Sequence, residues 1–343
     1  MPAPPAHRSH SQNILPAHRS NVDHVLEHLR KGGKLRKKDN HLWPYLNATR
    51  WVPLSIDPFI CFTWIFHAGI YQEPENPSNE PFTDEDHAMF DCIIMLVPTF
   101  PKLIKSFESD PDLFDVFIKQ LSSAAATARQ EDTAALKNRI LGYIHLDMLN
   151  GVLKPPLTSA HAKSLRGFNH PEIARLLCPI KQLGEFDADP NAFMDQVKDG
   201  QIKIKAKDWP AFVYSADGEF DPEDVSNGLM RGYVGIHAFC CIFTGPSSVV
   251  TGHCQATKLS KVQAHGLTQA TGRTIAYAFV QVRMALCASS EWSQHDDYFD
   301  HGAFFNISLA SSRLTPWIHG LLRPWSGSPS SQSQPSPTEE KEA

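Results

Sequence analysis

No apolar run in this chain approaches the roughly 20 residues that cross a bilayer as a helix, which excludes an ordinary helical membrane protein. The first residues, MPAPPAHRSHSQN, hold no apolar segment of the kind a secretory leader needs, so no leader is expected. Charge of one sign is in no large excess: the formal net charge is -5, which gives no global attraction to nucleic acid. Signatures of catalysis are missing too. Gly245-Pro246-Ser247-Ser248 has no following lysine and reads as a helix stop and a new cap rather than a phosphate loop. There is no G-x-S-x-G elbow, no internal repeat and no heptad run. Cysteine is sparse and odd in number: Cys61, Cys92, Cys178, Cys240, Cys241, Cys254 and Cys287, mostly inside apolar runs. Free buried thiols in a reducing, intracellular compartment, nuclear or cytoplasmic, are the expectation.

What is present is helical periodicity. Apolar residues recur at helical spacing from Ile56 to Leu309, with one weak alternating run at Ile202, Ile204 and Ala206. The fold expected is mainly α, a multi-helix domain with at most a small β-hairpin, the hairpin pairing the alternating run with Phe212-Val213-Tyr214. Helices are predicted around Ile56–Trp64 behind an Asp57-Pro58 cap, from Asp84 to about Leu96, over Leu103–Phe107, Leu113–Ala128 and Thr133–Leu149, and over Ile275–Cys287 as a central buried element. Pro98 and Pro101 are read as interruptions. The organisation expected is a flexible basic N-terminal region (1–41), a helical domain (42–323) with a subdomain joint at 184–209, and a disordered tail (324–343). Within the first region Val22, Val25, Leu26 and Leu29 form a short amphipathic pattern.

Several blocks occur in a set order: Thr133-Ala134-Ala135-Leu136-Lys137, Arg166-Gly167-Phe168-Asn169-His170, Leu176-Leu177-Cys178-Pro179, Gly228-Leu229-Met230-Arg231-Gly232, Ile242-Phe243-Thr244-Gly245-Pro246-Ser247-Ser248, and Ile275 to Arg283 followed by Trp292 and Asp296. In combination they resemble an uncharacterised domain family expanded in mushroom-forming basidiomycete fungi, over roughly residues 50–312. Where such proteins carry V-T-P before the penultimate helix, this chain has QATGRT, without a proline to start it. The resemblance implies a fold unit and a fungal lineage, and no activity.

The polar residues that stand out do so against apolar surroundings. Arg273, Tyr277 and Gln281 follow at four-residue spacing and form one stripe on a helix. Asp296 and Asp300 are read as a second stripe on the next helix, and Arg231, His237 and Arg283 are further candidates for the same polar cleft or network. Buried polar groups need partners, so these residues form either an internal network joining helices or a polar cleft that binds something. His145-Leu146-Asp147 matches half of an iron triad but sits in a helical pattern, and His237 with Cys241, His253 and Cys254 fits no familiar zinc spacing. No cofactor and no metal site is read. The one dense basic run, Arg30, Lys31, Lys34, Arg36, Lys37 and Lys38, is where nucleic acid would be contacted. The functional expectation is a non-catalytic helical interaction module with a protein partner, or nucleic acid through the basic run, and no membrane. The alternative is an enzyme with a cleft around Arg231, Tyr277, Gln281 and Asp296.

Overall fold

Prolines and capping side chains account for where many of the helices begin. The computed structural model describes residues 21–32, 41–71, 80–148, 150–216, 220–251, 260–296 and 299–312. In chain order its helices are α1 (Asn21–Lys31), α2 (Trp43–Thr49), α3 (Val52–Ser55), α4 (Phe62–Ile70), α5 (Asp84–Ile94), α6 (Phe100–Ser106), α7 (Pro111–Lys137), α8 (Pro171–Leu177), α9 (Leu183–Ala188), α10 (Pro190–Lys198), α11 (Tyr233–Phe243), α12 (Pro246–Thr251), α13 (Lys261–Ala264), α14 (Gly272–Leu286) and α15 (His301–Ser312). Short 3₁₀ turns join several of them.

A proline occupies the first turn of α2, α3, α6, α8 and α10, where a missing N–H costs nothing because the helix has no acceptor for it. Pro101 therefore starts α6 instead of interrupting a helix. Capping boxes start α5, through Thr83 and Asp86, and α14, through Thr271 and Thr274. The second replaces the proline that QATGRT lacks, since the Thr271 hydroxyl accepts the otherwise orphaned Thr274 N–H. Two expected elements are placed differently. Leu113–Ala128 and the start of Thr133–Leu149 are one continuous helix, α7, because Gln130, Glu131 and Asp132 between them include no breaker; it ends at Lys137, ahead of a 3₁₀ turn over Ile140–Tyr143. The helix expected across Ile56–Trp64 is divided. Asp57 accepts the Phe59 N–H at 2.6 Å and closes a local turn, and α4 begins only at Phe62.

Among the described residues there is no strand, only isolated bridges such as Pro179 with Pro210. The alternating run near Ile202 does not form a hairpin because Trp209 adopts a left-handed φ of 46° and Pro210 has no N–H for a ladder. The segment is tied down by Ile180 N–H to Trp209 O and Ala211 N–H to Cys178 O, each 2.9 Å.

Backbone proximity divides the chain into two units, the first comprising Met1–Arg50 with Cys61–Ala124, the second Trp51–Ile60 with Ala125–Ala343. The division falls inside α7. The first unit is held by aromatics: Tyr45 meets Phe100 edge-on at 4.9 Å, and Phe66, Phe107, Phe114 and Phe117 continue the cluster. Here α1 buries Val25 and Leu29, so part of the stretch read as a flexible region is an ordered helix.

The second unit is organised around α14, on which every residue from Thr274 to Leu286 is buried. Helices α11 and α15 pack on it. Gly235 of α11 permits that approach, because a Cβ there would fall 2.3 Å from the Phe279 ring. Apolar burial on this scale is the main stabilising term of the unit.

Candidate functional site

The polar positions of α14 divide into two settings. In the first, Tyr277 donates to Asp132 Oδ2 at 2.9 Å and accepts from Gln281 Nε2 at 2.8 Å, while Thr133 Oγ1 donates to Gln281 Oε1 at 2.9 Å. Lys261 of α13 pairs with the other Asp132 oxygen. Tyr277 and Gln281 are fully buried, and every member of this set has a partner. Burial and the neighbouring Asp132 carboxylate hold the Tyr277 phenol well above its ordinary pKa, so it stays a donor. Arg273, one turn earlier, is committed elsewhere and donates to Ile56 O.

The second setting lies at the C-terminal end of α14. Arg283 is 1% exposed, its guanidinium rests on the Phe299 ring at 4.2 Å, and its Nε has no partner among the described residues. Burial depresses its pKa, with Asp296 pulling the other way. Asp296 is in the loop ahead of α15, and its Oδ2 accepts from His301 Nε2 at 3.1 Å. His301 is completely buried, and that burial lowers its pKa, opposed by Asp296. Next to these, Lys163 donates to Ser289 O and stands 3.8 Å from Cys287 Sγ. Arg166 donates to Ala285 O at 2.8 Å and Lys137 O at 3.0 Å, so it closes the carbonyl ends of α14 and α7. Lys163 and Arg166 are both buried, and both are pushed down in pKa by that burial.

Arg283, Cys287 and Asp296 line a cavity of about 420 Å³, together with Gly167, Asn169, Lys198 and the run Ala288 to Glu291. Gly167 is needed in its wall: its φ is +67°, and a Cβ there would fall 3.1 Å from the Ala288 nitrogen. Two adjoining segments, Gly167–Asn169 and Cys287–Glu291, are thus brought close at one end of α14.

The sequence candidates are therefore dispersed. Arg283 and Asp296 meet at the cavity; Tyr277 and Gln281 belong to the closed network. Asp300 is not on a helical stripe with Asp296, since it caps α15 by accepting the Ala303 N–H at 2.8 Å and pairs with His295 at 3.1 Å. His237 is half-buried between the Tyr143 and Tyr233 rings, at 5.7 and 6.0 Å, and burial lowers its pKa. Arg231 is exposed and is not part of the cavity lining. Of the basic run, Arg30 pairs with Asp110 and Lys31 with Glu27, whereas Lys34, Arg36, Lys37 and Lys38 lie outside the described residues. His253 and Cys254 lie outside them as well, and among the described residues no cluster of metal-ligating side chains occurs.

Sequence reasoning missed Asp132, Thr133, Lys163, Arg166 and Lys261. Arg166 stands in the block Arg166-Gly167-Phe168-Asn169-His170, so its position was conspicuous, but nothing local to it indicates that it reaches two helix ends.

A model for a family of unknown function, DUF6698, matches residues 123–327, more than half of the chain, and the chain belongs to that family. All the cavity residues fall within the match. No curated protein and no solved structure matches the chain.

Proposed function

We propose that this member of the DUF6698 family is a non-catalytic helical binding module whose second unit takes a small polar ligand in the cavity at the end of α14. The observation that carries this reading is Arg283: an almost wholly buried side chain on the wall of a cavity, whose Nε has no partner among the described residues. Buried donors ordinarily find partners, and a cavity with a few convergent polar groups is the usual form of a ligand site. The remaining lining suits recognition, with the Asn169 amide, the Ser289 and Ser290 hydroxyls and the charges of Lys198 and Glu291 around the opening.

The groups favour binding over covalent catalysis. The Cys287 thiol donates to Met284 O at 3.2 Å, and His301 Nδ1 has no partner among the described residues, so the His301–Asp296 pair does not activate that thiol. The enzyme alternative around Arg231, Tyr277, Gln281 and Asp296 is less well supported, because Tyr277 and Gln281 are sealed in the closed network. Six free cysteines among the described residues support an intracellular setting, and the sequence blocks support a basidiomycete lineage.

The test is a ligand-observed NMR screen of small polar compounds against the full chain and against Ser290→Trp, which places a bulky ring on the cavity wall. Compounds that bind the parent and lose binding to the variant are the expected result. No binders, or binders indifferent to the substitution, would remove the cavity from the function.

A further inference from the structure

We infer that the ligand of this cavity carries an oxyanion, a carboxylate or phosphate group, bound by the Arg283 guanidinium; this rests on the binding-module reading above. The reason is the balance of charge around the cavity. On its exposed rim Lys198 and Glu291 oppose each other. The buried charges of its lining are Arg283 and one carboxylate, Asp296, which His301 already engages, while the buried Lys163 and Arg166 stand behind the wall, outside the lining.

The three cations are not equivalent. Lys163 and Arg166 donate to carbonyls at or just beyond helix ends, Ser289 O, Ala285 O and Lys137 O, where the negative end of the helix dipole offsets much of their charge. Arg283 lies one turn before the end of α14, and its Nε meets no carbonyl among the described residues. A ring face and a shared carboxylate are weak compensation for a desolvated guanidinium. Its flat fork of donors matches the paired oxygens of a carboxylate or phosphate. The volume of about 420 Å³ leaves room beyond the anionic group for a body that Asn169, Ser289 and Ser290 can hydrogen-bond. Ligand binding of this kind would give the cavity-lining guanidinium an anionic acceptor that is not shared with His301.

Isothermal titration of the full chain with inorganic phosphate, and separately with sodium acetate, at matched ionic strength tests the inference and separates the two anion classes. Saturable binding of at least one probe is expected, weakened by about tenfold or more in Arg283→Met. Arg283→Lys keeps the charge but removes the fork and should also weaken binding, which covers the case of a poorly folded methionine variant. Arg231→Met should bind as the parent does, because Arg231 is an exposed cation outside the cavity lining. Absence of binding by both probes, or binding unchanged in Arg283→Met and Arg283→Lys, overturns the proposal, as does loss of binding in a folded Arg231→Met. If both anions fail while neutral compounds still bind the parent and not Ser290→Trp, the cavity reading stands and the anion falls. If nothing binds at all, both fall.

Discussion

Tyr277 and Gln281 of α14 belong to a closed hydrogen-bonded set, whereas Arg283, a few residues farther along the same helix, lines a cavity and its Nε has no partner among the described residues. Burial does not distinguish them, since all three are at most 1% exposed. What differs is the supply of partners from elsewhere in the second unit. Asp132 and Thr133 of α7 and Lys261 of α13 reach the first pair. Around Arg283 the neighbours are a phenyl ring, a carboxylate already bonded to histidine and an open space. The first arrangement spends its polarity on fixing helices, and in the proposed function the second retains it for an incoming group.

The largest expected effect comes from breaking the closed set at its hub. Asp132→Ala leaves the Lys261 ammonium and the Tyr277 hydroxyl without their acceptor and should cost about 3 kcal/mol, at the low end for a buried pair, because Lys261 is 34% exposed and can turn to water. Urea denaturation measures this, and a loss below about 1 kcal/mol would mean that the set does not lock the helices. Tyr277→Phe is milder, about 2 kcal/mol. It deprives Gln281 Nε2 of an acceptor and Asp132 Oδ2 of a donor but leaves the Lys261 pair in place. The two substitutions should be strongly non-additive in combination, as members of one network are. Additive losses would show two independent contacts.

Much of the architecture was legible because it depends on local signals. Period-3.6 patterning marked α14 as buried, and the Gly245-Pro246 pair marked the end of α11 and the start of α12. Local signals also misled where one residue type has two roles. Pro101 reads as a breaker in isolation and proves to be a first-turn residue. The alternation near Ile202 reads as a strand until Trp209 and Pro210 are seen to leave it no ladder. The site was legible only in part. Four-residue spacing put Arg273, Tyr277 and Gln281 on one face, yet it cannot tell that Arg273 bonds to a carbonyl near residue 56 while Asp132 satisfies Tyr277. Those partners are more than a hundred residues distant in sequence, and pairing at that range is a property of the packed fold. Asp296 was read as part of a helical stripe but lies in a loop, because that loop is followed at once by the periodic pattern of α15.

A pH titration addresses the second setting through His301. Burial is the main cause that lowers the pKa of His237, His265 and His301. For each, the folded value lies below the unfolded value of about 6.5. The unfolded chain therefore takes up protons first as the pH falls, and stability present above about 6.5 is lost progressively below it. The slope is at most about 1.4 kcal/mol per pH unit for each proton taken up on unfolding. His301→Gln should flatten the urea midpoint between neutral pH and mild acid relative to the parent. An identical slope in both proteins would show that His301 exchanges its proton freely, and that its pairing with Asp296 adds nothing that depends on burial.

The smallest expected effect is the most discriminating. Arg283→Met should leave stability within about 0.5 kcal/mol of the parent, or raise it, since replacing a buried, poorly compensated charge by an apolar chain of similar size is often neutral or favourable. The guanidinium gives up its contact with the Phe299 ring, worth about 0.5–2 kcal/mol. Against that loss stands the removal of a desolvated charge, and a methionine side chain packs on the same ring. Asp296 keeps its bond from His301, so no new isolated carboxylate is created. A residue that weakens stability little while its loss abolishes binding is retained for the ligand. If instead Arg283→Met lost more than about 2 kcal/mol, comparable to Tyr277→Phe, Arg283 would be an anchor of the fold, and the contrast between the two halves of α14 would disappear.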